Sequence, residues 1–100
     1  MSGYRLVSDP RADIDIEAAF EWYERERPGL GLEFLDELRA AYGRIVDGPL
    51  KYPQLRSNIR RALLKRFPYA VFFAVEGEII VVLAVLHTSR DPAEWQRRLR

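Results

Sequence analysis

Eight consecutive apolar residues, Ile79 to Leu86, constrain this chain more than any other feature. The run is far shorter than the ~20 residues a helix needs to cross a bilayer, and its branched aliphatic composition favours a strand. As a strand it sorts Ile79, Val81, Leu83 and Val85 to one face and Ile80, Val82, Ala84 and Leu86 to the other. Both faces are apolar, so both need cover. One layer of helices covers one face. The second requires a different shield, either a terminal helix carrying Trp95 or another chain.

The rest of the sequence supplies that helical layer. Tyr4 to Val7 is a short β-prone stretch, followed by Ser8-Asp9-Pro10, where a capping side chain precedes a proline suited to the first helical turn. Ile16, Ala19, Phe20 and Tyr23 then recur at helical spacing until Pro28-Gly29, and Asp13, Asp15 and Glu17 load the positive end of the helix dipole. Phe34, Leu35, Leu38, Ala41, Tyr42 and Ile45 mark a second helix that ends at Gly48-Pro49. Its short Pro-Gly-Leu-Gly connection to the first predicts an antiparallel helix hairpin.

Pro49 to Asn58, punctuated by Pro53, reads as a loop, after which the period changes from 3.6 to 2. Ile59 to Leu64, Tyr69 to Val75 and Glu78 to His87 are expected strands, the last two joined by a Glu76-Gly77 turn. Asp91-Pro92 starts a short terminal helix. The expected fold is thus α+β, ordered β-α-α-β-β-β, a helix hairpin packed on an antiparallel sheet with a short C-terminal helical tail. If the first strand pairs with the last, it is expected to run opposite to it.

One hundred residues suit a single domain, 1–100, whose site lies on a surface or groove because deep cavities need a larger core. The absence of cysteine excludes disulfides, thiolate zinc sites and cysteine nucleophiles, and a lone histidine argues against a histidine metal cluster. No metal or cofactor is expected. The start, Met1-Ser2-Gly3-Tyr4, lacks a signal pattern, so a soluble, cytoplasmic protein with no membrane partner is expected.

The net charge of +1 hides a division. Residues 1–50 hold 6 basic and 11 acidic side chains, or −5, whereas residues 51–100 hold 10 and 4, or +6. Such asymmetry fits either a basic surface for an anionic partner or charge distributed for solubility. Within the basic half, Arg60, Arg61, Lys65, Arg66, His87 and Arg90 fall on or at the ends of strands. Arginine holds phosphates through forked hydrogen bonds, and histidine exchanges protons near neutral pH, which is the kit for cutting RNA. For His87 a structural or hydrogen-bonding role at a strand end is favoured over a functional one. Alternation places Arg60 and Arg61 on opposite faces, so one of them leans toward the helices. Glu33, Asp36 and Glu37 read as a solvated helix face, Gly29-Leu30-Gly31 as a connector, and Trp22 and Trp95 as packing or stacking residues.

The succession Trp22-Tyr23-Glu24, Pro28-Gly29-Leu30-Gly31 with Phe34 and Glu37, Tyr52-Pro53, Ile59-Arg60-Arg61, Arg66-Phe67-Pro68-Tyr69, and Val85-Leu86-His87 leading to Arg90-Asp91-Pro92 and Trp95 resembles the RelE/ParE superfamily. These are toxins of bacterial type II toxin-antitoxin systems, including plasmid stabilisation proteins. The likeness runs from about Tyr4 to Arg98. It implies a cytoplasmic setting and a cognate antitoxin that wraps and neutralises the toxin in a hetero-oligomer. It also implies one of two activities, RelE-like ribosome-dependent mRNA cleavage or ParE-like poisoning of DNA gyrase.

Carried over from nuclease members, catalysis would fall to Arg61, Lys65, Arg66 and His87, without a metal. Antitoxin or nucleic acid would meet Arg60, Arg61, Arg66, Arg90 and Trp95. Thr88 stands where some nucleases have tyrosine, and Arg90-Asp91-Pro92 begins an unlike tail. These departures favour ParE-like action over mRNA cleavage, with a non-toxic interaction domain as a third reading.

Overall fold

In the computed structural model, which describes residues 3–99, the chain runs β1 (Arg5–Ser8), α1 (Pro10–Glu26), α2 (Leu30–Asp47), a 3-10 turn (Pro49–Lys51), β2 (Gln54–Arg56), β3 (Ile59–Leu63), β4 (Tyr69–Glu76), β5 (Ile79–His87) and α3 (Pro92–Arg98). Asp9 caps α1 by accepting the Arg11 N–H at 2.8 Å, with Pro10 in the first turn. The hairpin connection is latched from behind. Glu24 accepts the N–H groups of Gly29 and Gly31 at 2.9 and 2.8 Å, and Gly29 adopts a φ of +91° that favours glycine. Gly31 lets the helices meet, since a Cβ there would lie 2.7 Å from Phe20 Cδ1 and 2.8 Å from the Phe20 carbonyl oxygen.

The sheet has five strands in the order β1-β5-β4-β3-β2. It is mixed: β1 pairs with β5 in parallel, Arg5 opposite Ile79 and Ser8 opposite Val82, which corrects the expected antiparallel pairing. The cause is β2. This strand of three residues, inside the segment read as a loop, reverses the chain once more before β3 and so inverts the direction of every later strand relative to β1.

A bulge also breaks the simple alternation of β5. Phe72 is opposite Ala84 and Phe73 opposite Val82, leaving Leu83 as the extra residue. Beyond it the faces exchange. Val85 therefore joins Ile80 and Val82 beneath the hairpin, not Ile79, Val81 and Leu83 as strict alternation predicts.

Two cores result. Under the hairpin, Phe34, Leu38, Ala41 and Ile45 of α2 and Ala12, Ala19 and Tyr23 of α1 pack on Val71, Phe73, Ile80, Val82 and Val85. The rings of Tyr23, Phe34, Phe67 and Tyr69 meet there, Tyr23 and Phe67 edge-to-face at 4.9 Å. On the other face Ile59, Ala70, Phe72, Ala84 and Leu86 are covered by Leu99 and Trp95, whose ring stacks on Phe72 at 5.3 Å. The terminal helix shields this second face through Trp95, with Leu99 just beyond its end.

Candidate functional site

The basic side chains singled out in the sequence separate into three places. Arg61 on β3 stands opposite Phe72 and faces the α3 side, where it lines a small cleft with Phe72, Thr88, Arg90, Pro92 and Trp95. The cavity measures about 80 Å³. Arg61 is half-buried and has no ion-pair partner among the described residues, so its charge is available. Arg90 pairs with Glu94 at 3.1 Å at the exposed mouth.

Arg60 points to the other face. Its guanidinium donates to the carbonyl oxygens of Tyr52 at 2.7 Å and Leu50 at 3.3 Å, tying the turn after α2 to the sheet. Lys65 and Arg66 occupy the β3–β4 loop, beside a third region that includes Leu63, Tyr69 and Thr88. Arg66 donates to Glu33 Oε1 at 2.8 Å, and the Lys65 N–H reaches Glu37 Oε2 at 3.2 Å. Arg66 also lies 5.4 Å from the Phe67 ring centroid. The Arg66 hydrogen bond, aided by Arg27, holds the Glu33 carboxyl below its usual range. Glu33 and Glu37, read from sequence as a solvated face, instead latch this loop to α2.

His87 borders the α3-side cleft, but its ring turns away from it. It is opposite Tyr69 in the β4–β5 register, and opposed residues of a pair share a face. The two rings meet edge-to-face at 5.1 Å, and Tyr69 in turn contacts Phe34 of α2. The bulge at Leu83 makes this so. Nδ1 accepts the Ser89 N–H at 3.1 Å and lies 2.7 Å from Ser89 Oγ, which leaves the proton of the neutral ring on Nε2. Burial pushes the Tyr69 phenol above its ordinary value, with the Arg90 charge pulling the other way. The pleat thus separates Arg61 from the imidazole.

One residue that the sequence did not single out fastens α3 to the edge of the sheet. Asp15 on α1 accepts the Val85 N–H at 3.0 Å and holds Arg98 of α3 through two contacts, 3.1 and 2.9 Å. β1 ends opposite Val82, so the edge of β5 beyond that point lacks a strand neighbour, and Asp15 serves in its place. Arg98 carries α3 around this edge. No sequence signal distinguishes Asp15 from the other acids of the first helix.

A helix hairpin on this sheet, with a basic cleft at the strand ends, is the architecture expected of the RelE/ParE superfamily toxins. The family model for the ParE toxin of the type II toxin-antitoxin system parDE matches residues 6–92, and the chain belongs to this family. Comparison with curated proteins finds no match. Among solved structures, a chain from the chromosomal ParDE TA system from P. aeruginosa is similar in fold, with a TM-score of 0.78 and 18% identity over 89% of this chain and 100% of that chain.

Proposed function

We propose that this ParE-type toxin arrests bacterial growth by poisoning DNA gyrase in the cytoplasm, and that a cognate antitoxin neutralises it in a hetero-oligomer. The 100 residues act as one domain. The observation that carries the preference over mRNA cleavage is the separation of Arg61 from the His87 ring. In-line cleavage of RNA needs a proton-transfer group and phosphate-holding cations at one point. Here the cations Arg61 and Arg90 border one cleft, and His87, although it also borders that cleft, packs its ring edge-to-face on Tyr69 toward the hairpin side. The cleft is suited to holding an acidic or phosphate-bearing surface beside the Trp95 ring, and Arg61, Arg90 and Trp95 are its proposed contacts.

Expression of the protein alone, followed by assays of growth, message integrity and DNA supercoiling, tests this reading. Growth arrest with DNA breaks or lost supercoiling and intact messages is expected. Cleaved messages would move the protein to the RelE-like class, and normal growth at high expression would leave an interaction domain. Arg61→Glu is expected to weaken the antitoxin complex and reduce its salt dependence.

A further inference from the structure

The positive charge of the C-terminal half is gathered rather than spread. Three hollows lie on the side of the sheet that carries α3 and at the adjoining strand ends. One is the cleft of Arg61 and Arg90, a second of about 360 Å³ lies beside Lys65 and Arg66, and a third of about 640 Å³ lies between Arg56 of β2 and Ala93, Gln96 and Arg97 of α3. The first two share Thr88, and α3 borders the first with Pro92 and Trp95 and the third with its other flank. Each hollow is lined by two cations and by no carboxylate. Two hollows against α1 are lined instead by acids, Asp13 and Glu17 in one and Asp15 in the other. Among the described residues, the side chains of Arg56, Arg61, Lys65 and Arg97 have no ion-pair partner. Four uncompensated charges therefore mark one band.

What else lines the band identifies its occupant. A polypeptide partner that buries apolar anchors finds one exposed large hydrophobic there, Leu63, since Val7, Ile14, Trp22, Leu32 and Leu50 line none of the three hollows. A single nucleic-acid strand is held largely by stacking its bases on free rings. The rings of this band are engaged: Trp95 stacks on Phe72, and Phe67 and Tyr69 pack with Phe34. Cations without apolar anchors or free rings suit the backbone of a duplex, which offers regularly spaced phosphates and keeps its bases stacked inside. Arginine forks match phosphate oxygens in pairs. We propose that this band docks the phosphate backbone of duplex DNA through Arg56, Arg61, Lys65 and Arg97. The inference rests on the phosphate-holding role of the Arg61 cleft and extends it to the β2 edge and the outer flank of α3. It requires contact with DNA itself, whether or not gyrase is present.

The test is fluorescence anisotropy of the purified full chain with a labelled DNA duplex of about 20 base pairs, longer than the roughly 11 that the molecule's 39 Å extent covers at ~3.4 Å per step. Four neutralised phosphates give an expected slope of log affinity against log salt of about −3 to −4, and a loss of roughly 10²-fold between about 50 and 200 mM salt. Joint replacement Arg56→Ala and Arg97→Ala, at two exposed and unpaired positions, is expected to make the slope shallower by about two and to weaken binding by about tenfold or more at the lower salt. Arg25→Ala, which removes an equally exposed and unpaired arginine from α1, should change neither. No binding, a slope unmoved by the double variant, an equal loss from Arg25→Ala, or tighter binding of polyglutamate or of single-stranded RNA would overturn the proposal. Gyrase supercoiling is assayed separately. DNA binding without gyrase inhibition removes the poisoning reading and keeps the band, whereas inhibition without DNA binding removes the band alone.

Discussion

Replacing Asp15 separates the two contacts that fasten α3 across the open edge of β5. The side chains of Arg98 and Asp15 are 24% and 13% exposed, so this pair is better shielded than the other ion pairs among the described residues, apart from the looser Arg44–Glu37 contact at 3.8 Å. Asp15→Ala orphans the Val85 N–H, which costs about 1–3 kcal/mol. It also strips Arg98 of its counter-charge, but Arg98 can swing toward solvent, so the ~3–5 kcal/mol of a fully buried pair is not reached. A total of about 2–4 kcal/mol follows, or roughly 8–32 °C in melting temperature at ~4–8 °C per kcal/mol for a domain of this size. Asp15→Asn keeps an acceptor for Val85 and loses only the charge, about 1 kcal/mol, and Arg98→Ala leaves the carboxylate still bonded to the strand at a similar cost.

Thermal unfolding followed by circular dichroism ranks the three variants, while emission in a Trp22→Phe background reports whether Trp95 of α3 still stacks on Phe72. The expected order is Asp15→Ala far below the other two. If Asp15→Ala melts no lower than Asp15→Asn, the cap on Val85 contributes nothing. If Arg98→Ala is as damaging as Asp15→Ala, the ion pair alone matters and the edge argument fails.

Other outcomes follow from single contacts. Tyr42 has a buried hydroxyl without a hydrogen-bond partner among the described residues, so Tyr42→Phe is expected to be neutral or to stabilise by about 1 kcal/mol in denaturant titrations. Burial, with Asp13 nearby, pushes the Tyr42 phenol up to about 12 from 10.0. The unfolded chain therefore ionises first, and stability attributable to Tyr42 should fall as pH rises from 10.0 toward about 12, a loss absent from Tyr42→Phe. The Glu33 carboxyl is held below its ordinary 4.5, so the Arg66 contact stabilises above that pH and fades as acidification protonates Glu33; the stability gap between wild type and Arg66→Ala should close in acid. Gly31→Ala drives a Cβ into Phe20 and should cost about 1–3 kcal/mol, with loss of cooperative unfolding as the sign of a parted hairpin. His87→Ala should leave growth arrest intact, and loss of toxicity with fold preserved would return the nuclease reading to favour.

The sequence was most legible where one periodicity ran unbroken. Both helices of the hairpin, the three long strands and the terminal helix follow from apolar spacing, from Asp9-Pro10 and Asp91-Pro92 caps, and from the Pro28-Gly29 and Gly48-Pro49 stops. β2 escaped because three residues beside Pro53 carry too little pattern, and the parallel pairing of β1 was lost with it. The bulge escaped because a register between strands is a property of two segments, and neither Phe72-Phe73 nor Val82-Leu83-Ala84 announces it alone. The candidate site was legible in part: Arg61, Arg90 and Trp95 do border one cleft. Arg60, Arg66 and Lys65 each have neighbours drawn from distant segments, Tyr52, Glu33 and Glu37, which spacing along the chain does not foretell.

Leu83 gives β5 something most strands lack, a spare residue. Removing one residue from a regular strand rotates everything downstream to the wrong side. Excising Leu83 would leave Val82 followed by Ala84 against the consecutive partners Phe73 and Phe72, with Val85, Leu86 and His87 still opposite Val71, Ala70 and Tyr69. The length of this strand is therefore elastic at one position and rigid at the others. Descendants of this chain can lose a codon there without rewiring either core, while the same loss at Val81 or Val85 would shift the pairing at every residue between the deletion and the bulge or strand end.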